Sequence, residues 1–121
     1  MPKVLIIDDD KSITSLLMTL LKLEGYQAFE SRDWAGIPGI LIDETPDLVL
    51  MDCILSDMNG LEILAEIRSD PLLADLPIIM TSGIDMSYES KLKGANDFLL
   101  KPYSPDLLLE TIKNYISGGG K

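Results

Sequence analysis

The feature that most constrains this chain is a regular alternation between short, almost wholly apolar runs and longer segments of helical periodicity. The apolar runs lie at residues 4–7, 26–29, 48–51, 78–80 and 98–100. A run with no polar alternation has no wet face, so these strands belong in a parallel sheet covered on both sides. Between them, Ile13, Leu16, Leu17, Leu20 and Leu21 share one helical face, which Gly25 is placed to end in a left-handed cap. Asn59, paired with Glu62, reads as an N-cap before Leu61, Leu64 and Ile67. Ser104 reads as a cap and Pro105 as the first residue of a helix carrying Leu108, Ile112, Tyr115 and Ile116. The order βαβαβαβαβα, with right-handed crossovers, predicts a doubly wound α/β domain. Its weakest element is the second helix, because Gly36, Pro38 and Gly39 interrupt residues 31–44, so a short or displaced turn-and-helix is expected there. Trp34, in that segment, suits either an exposed anchor for a partner or packing over the interrupted helix. One domain is expected over residues 1–117, followed by a flexible Gly-rich tail at 118–121.

Composition removes whole classes of function. The formal net charge of -10 repels phosphate backbones and anionic lipid, so neither direct nucleic-acid binding nor membrane binding is expected. Cys53 is the only cysteine and cannot form an internal disulfide. The N-terminus lacks the pattern of a signal peptide, and Lys22 interrupts the Leu-rich run, so a cytoplasmic location is expected. Cys53 reads as a small apolar residue after a buried strand, and no function is assigned to it. The chain has no histidine. Any chemistry therefore rests on carboxylates, hydroxyls, lysine and metal.

In open parallel α/β sheets the ligand site lies outside the carboxyl ends of the strands. Asp8, Asp9, Asp52, Ser82 and Lys101 stand at four such ends. One aspartate after a strand is ordinarily a turn or cap residue; five polar groups converging on one sheet edge suggest a site. Clustered carboxylates repel one another unless a cation intervenes, and an all-oxygen donor set suits Mg²⁺. A lysine and a hydroxyl facing such an ion complete an arrangement for phosphoryl transfer, in which positioning and electrostatics do most of the work.

The segments VLIIDDD, PDLVLMD with Gly60 beyond it, LPIIMTSG and GANDFLLKPY carry a family resemblance. Over essentially the whole chain they resemble the receiver domain of two-component response regulators. The resemblance implies a flavodoxin-like (βα)5 fold with strand order 2-1-3-4-5 and Asp52 as phosphoacceptor. Mg²⁺ would be held by Asp9, Asp52 and the backbone carbonyl of Ile54, with Asp8 acting through water. Ser82 and Lys101 would bind the phosphoryl oxygens, Ser82 and Phe98 would form the switch, and the Lys101–Pro102 bond would be cis. Phe98 also suits a plain core position, and Pro102 an ordinary trans turn. The chain would be a switch rather than an enzyme, assisting its own phosphorylation and dephosphorylation. Its donor would be a sensor histidine kinase or phosphotransfer protein, its readout a downstream effector or fused output domain, with a homodimer also compatible.

The chain departs from the family pattern in two places. Ser56 stands where proline is usual, which removes a fixed φ from the loop CILSDMNG. Residues 82–101 fall short of the usual spacing by roughly three residues, close to one helical turn. A short or partly unwound fourth helix and an unconventional output surface are therefore expected. Ile54 and Ile84 are apolar where they would shield an acyl phosphate from water. Two rival readings remain. One is a haloacid-dehalogenase-like phosphatase, with Asp8 as nucleophile and Asp10 as acid; the other is a degenerate receiver that binds partners without being phosphorylated.

Overall fold

The computed structural model describes residues 1–116. The tail expected at 118–121 lies outside the described residues. Five strands alternate with five helices: β1 Lys3–Ile7, α1 Lys11–Leu23, β2 Gln27–Glu30, α2 Ile37–Glu44, β3 Leu48–Asp52, α3 Gly60–Ser69, β4 Ile78–Ser82, α4 Ser87–Leu92, β5 Asp97–Leu100 and α5 Pro105–Lys113. Short 3₁₀ turns at Trp34–Gly36 and Pro71–Leu73 precede α2 and follow α3. The strands form one parallel sheet in the order β2-β1-β3-β4-β5. The order reverses between β1 and β3, which opens a crevice at their carboxyl ends.

The continuous apolar runs are explained by the two cores they separate. Successive residues of a strand point to opposite faces. Leu5, Ile7, Val49, Met51, Ile78 and Met80 therefore pack on one side against Ile37 and Leu41 of α2 and Ile63, Leu64 and Ile67 of α3. Val4, Ile6, Leu48, Leu50, Ile79 and Leu99 pack on the other against Leu17 and Leu21 of α1 and Leu108 and Ile112 of α5. Each fully buried Leu or Ile contributes roughly 1.5–3 kcal/mol, so a register slip of one residue would forfeit contacts on both faces at once.

Local signals set the boundaries. The Asp10 carboxylate caps α1 by accepting from the Ser12 and Ile13 amides, and Gly25 takes the left-handed conformation, at φ 89°. Asn59 caps α3 and Ser104 caps α5, with Pro105 in its first turn. The core-facing stripe of α1 is centred on Thr14, Leu17 and Leu21 rather than on the leucine-rich face, and Leu16 is 74% exposed. The second helix is the interrupted element its glycines and proline imply. A 3₁₀ turn capped by Asp33 leads into α2, whose first turn contains Pro38. Trp34 is buried, so its packing role holds and an exposed anchor does not.

Helix α4 is only six residues long, as the short 82–101 segment implies. It stops at Gly94, whose φ of 108° an L side chain rarely adopts. Arg68 at the end of α3 secures the turn between α4 and β5: it donates from Nε to the Gly94 carbonyl at 2.8 Å and from Nη2 to Asn96 Oδ1 at 2.9 Å. Asn96 Oδ1 also accepts from the Ile78 amide at 2.8 Å, joining this turn to the start of β4.

Candidate functional site

Parallel pairing brings Ile7 level with Met51, so the next residues along each strand, Asp8 and Asp52, emerge side by side at the crevice. Asp8, Asp9 and Asp52 each offer a carboxylate oxygen, and the three oxygens lie within 4.8 Å of one another. From the end of β5, Lys101 Nζ reaches across to Asp8 Oδ2 and Asp52 Oδ2, each at 2.8 Å. The remaining oxygens are held from behind. Asp8 Oδ1 accepts from the Asp10 amide at 2.9 Å, and Asp52 Oδ1 from the Ile54 amide at 3.1 Å.

The electrostatics follow from this burial. The side chains of Asp8 and Asp52 are 5% and 10% exposed, and that of Lys101 is 20% exposed. Burial pulls the lysine pKa down, but the hydrogen bonds and charges of Asp52 and Asp8 outweigh it and hold the ammonium well above its usual range. One ammonium faces three carboxylates, so the cluster keeps net negative charge and favours a further cation. The donor set fits Mg²⁺: every group offered is a hard oxygen, and the three oxygens lie close enough together to serve one ion.

Ser82 ends β4 with its residue almost fully buried. Its Oγ accepts from the Ile84 amide at 3.3 Å, which leaves the hydroxyl proton free to donate elsewhere. The Ser82 carbonyl accepts from the Lys101 amide at 2.8 Å, so the two strand ends advance as one unit. Phe98 is partly buried against the α2/α3 core, and the Lys101–Pro102 bond is cis. Ile54 and Ile84 are 55% and 61% exposed on the two loops beyond Asp52 and Ser82. Asp10 is exposed and occupied as the α1 cap.

Gly60 anchors the loop after Asp52. Its amide donates to the Cys53 carbonyl at 2.7 Å. A Cβ there would collide with the Asp52 carbonyl oxygen and come within 3.0 Å of the Cys53 Cα and carbonyl oxygen. These are backbone atoms that cannot turn aside, so Gly60→Ala is expected to lower unfolding stability by about 3 kcal/mol. Urea unfolding checks this, and a loss below about 1 kcal/mol would show that the loop has room to shift.

Two partners of the site escape a reading of sequence. Cys53 Sγ lies 3.5 Å from Ser90 Oγ, with both residues buried, so α4 touches the residue next to Asp52; burial pushes the thiol pKa up. The Arg32 guanidinium donates from Nη1 to the Asp9 carbonyl at 3.2 Å and pairs through Nε with Glu30 Oε1, also at 3.2 Å. The visible signal was a basic residue just beyond β2 in an acidic chain.

Residues 4–113 match the family model described as the response regulator receiver domain. A curated relative, the phosphate regulon transcriptional regulatory protein PhoB of Pseudomonas aeruginosa, is 31% identical over 113 residues, covering 91% of this chain and 49% of that protein. The chain thus spans about half the length of that relative. Among solved structures, a CheY-like response regulator receiver domain protein from Methanospirillum hungatei superposes with a TM-score of 0.86 at 31% identity, covering 94% of this chain and 92% of that one. The chemotaxis response regulator CheY4 of Vibrio cholerae gives a TM-score of 0.87 at 27% identity, over 96% and 99%.

Proposed function

We propose that this chain, which belongs to the response regulator receiver domain family, is a phosphorylation-operated switch whose phosphoacceptor is Asp52. The observation that carries the reading is the contact of Lys101 with both Asp52 and Asp8, 2.8 Å each, inside a cluster of three carboxylates. The lysine carries three donors and gives two of them to carboxylates. It is shared between the proposed nucleophile and its acidic neighbour, where charge changes when a phosphoryl group arrives.

In the step proposed, an Asp52 carboxylate oxygen attacks phosphorus. A new P–O bond forms as the bond to the donor breaks, and the donor's nitrogen or oxygen leaves with the electron pair. Asp9, Asp52 and the Ile54 carbonyl, with Asp8 through water, would hold Mg²⁺, which would supply charge neutralisation at the phosphoryl oxygens. Lys101 takes one of those oxygens and the Ser82 hydroxyl another. These 121 residues contain no histidine, so a phosphohistidine donor lies outside them. A small acyl phosphate can stand in for it.

Phosphorylation shifts a two-state equilibrium only by the contacts it strengthens in one state. Moving a population from 1:99 to 99:1 takes about 5.5 kcal/mol. The new bond from Ser82 to a charged oxygen supplies roughly 1.5–3 kcal/mol of it, and Lys101, already bonded to Asp8 and Asp52, adds the difference between its old and new partners. Ser82 would leave the Ile84 amide for the phosphoryl group, and the partly buried Phe98 would follow into the space released. The short α4 alters the neighbouring surface, so the effector or fused output domain would meet an unconventional face.

The test is incubation with Mg²⁺ and acetyl phosphate, followed by intact mass measurement and trapping of the acyl phosphate by peptide mapping. One phosphoryl group on the Asp52 peptide is expected. A group on the Asp8 peptide would instead establish the phosphatase-like chemistry, against which the use of Asp10 as a helix cap already stands. No incorporation alongside measurable Mg²⁺ binding would favour a receiver that works unphosphorylated.

A further inference from the structure

The acidic cluster has a second cation beside it whose place in the fold is not that of a solvated surface arginine. Arg32 lies two residues beyond Glu30, the last paired residue of β2, which sits opposite Ile6. The ladder closes with the Ser31 amide donating to the Ile6 carbonyl at 3.3 Å, and Arg32 follows beside the turn that presents Asp9. Its guanidinium bridges two strand ends: Nε pairs with Glu30 Oε1 at 3.2 Å, and Nη1 donates to the Asp9 carbonyl oxygen at 3.2 Å. Nη2 is buried and makes no hydrogen bond among the described residues.

We infer that Arg32 is a positioning residue for the metal site, acting through the main chain of Asp9; the inference rests on the proposed Mg²⁺-dependent function. Asp9 is the least buried of the three carboxylates and stands on a turn, where Asp8 is fixed by the Asp10 amide and Lys101. The Arg32 contact supplies Asp9 with a comparable restraint. A guanidinium suits the task because its planar fork serves a carboxylate and a carbonyl together, which one ammonium on a flexible stem does not.

A positive charge near a cation site opposes metal binding, whereas a fixed ligand backbone favours it. Glu30 lies against the same guanidinium and cancels much of its field at a distance, whereas the hydrogen bond to Asp9 is short-ranged and has no substitute. Positioning therefore outweighs repulsion. The effect belongs with that of outer partners of metal ligands, whose loss typically lowers affinity 10- to 100-fold. Because Arg32 holds the backbone rather than the ligating carboxylate, the low end of that range applies.

The experiment is calorimetric Mg²⁺ titration of the parent, Arg32→Met and Arg32→Lys, with urea unfolding of each in the absence of metal. Arg32→Met keeps the apolar stem and is expected to bind Mg²⁺ about 10-fold more weakly, with its metal-free unfolding midpoint unchanged. Equal or tighter binding overturns the inference. If Arg32→Met proves unstable, Arg32→Lys decides: weakened affinity in a stable protein supports the role, and parental affinity overturns it. A parent that shows no Mg²⁺ binding overturns the proposed function and the inference with it. A parent that binds while Arg32→Met binds equally overturns the inference alone.

Discussion

Asp52→Asn is expected to remove phosphoryl incorporation from acetyl phosphate, by more than about 100-fold, because a neutral amide oxygen lacks the carboxylate's nucleophilicity. The same change should leave the fold intact. An asparagine oxygen can still accept from the Ile54 amide, and Lys101 keeps Asp8 as its partner. It also removes one of three mutually repelling carboxylates, so unfolding stability without Mg²⁺ should be unchanged or higher. Intact mass and urea unfolding on the same preparation measure both effects. Undiminished incorporation would move the nucleophile away from Asp52, and a large loss of stability would mean that Asp52 serves the fold first.

Lys101→Met tests the other half of the site, with an effect on stability as well as on chemistry. Its ammonium is the partner of two carboxylates that are at least nine-tenths buried. Removing one member of a buried ion cluster leaves uncompensated charge, and without metal about 3 kcal/mol of unfolding stability should be lost. Domains of this size hold roughly 5–15 kcal/mol in all. Mg²⁺ should then stabilise Lys101→Met more than it stabilises the parent, since metal replaces the missing positive charge and gains affinity by its absence. Phosphoryl incorporation should still fall by roughly 100-fold, the usual effect of deleting one preorganised donor to a developing oxyanion. Urea unfolding with and without Mg²⁺, together with initial rates from acetyl phosphate, separates the two contributions. A variant as stable as the parent without metal would show that Asp8 and Asp52 do not depend on Lys101.

The sequence carried most of the architecture because its signals are local. A fully apolar run, a cap residue and a glycine at a helix end act within a few residues. Each was readable at β1, β3 and β4, at Asn59 and Ser104, and at Gly25. The interrupted second helix and the six-residue α4 were likewise expected from proline, glycine and segment length. In α1, tertiary packing overrode pattern. The leucine-rich face suggested a buried stripe through Leu16, but the helix rolls so that Thr14, Leu17 and Leu21 face the sheet.

Asp8, Asp9, Asp52, Ser82 and Lys101 could be gathered from sequence because the doubly wound sheet sends every strand end to one edge, whatever the separation along the chain. The sequence alone thus determined the fold class, the strand ends and the residue types that meet there. Only the tertiary structure decided which of them touch. It placed Lys101 between Asp8 and Asp52, turned Asp10 to a cap, buried Trp34, set Ser90 against Cys53 and laid Arg32 on the Asp9 carbonyl. Such contacts depend on side-chain direction and sheet register across distances of up to 93 residues in sequence. No local preference encodes that geometry, because it exists only once both faces of the sheet are packed.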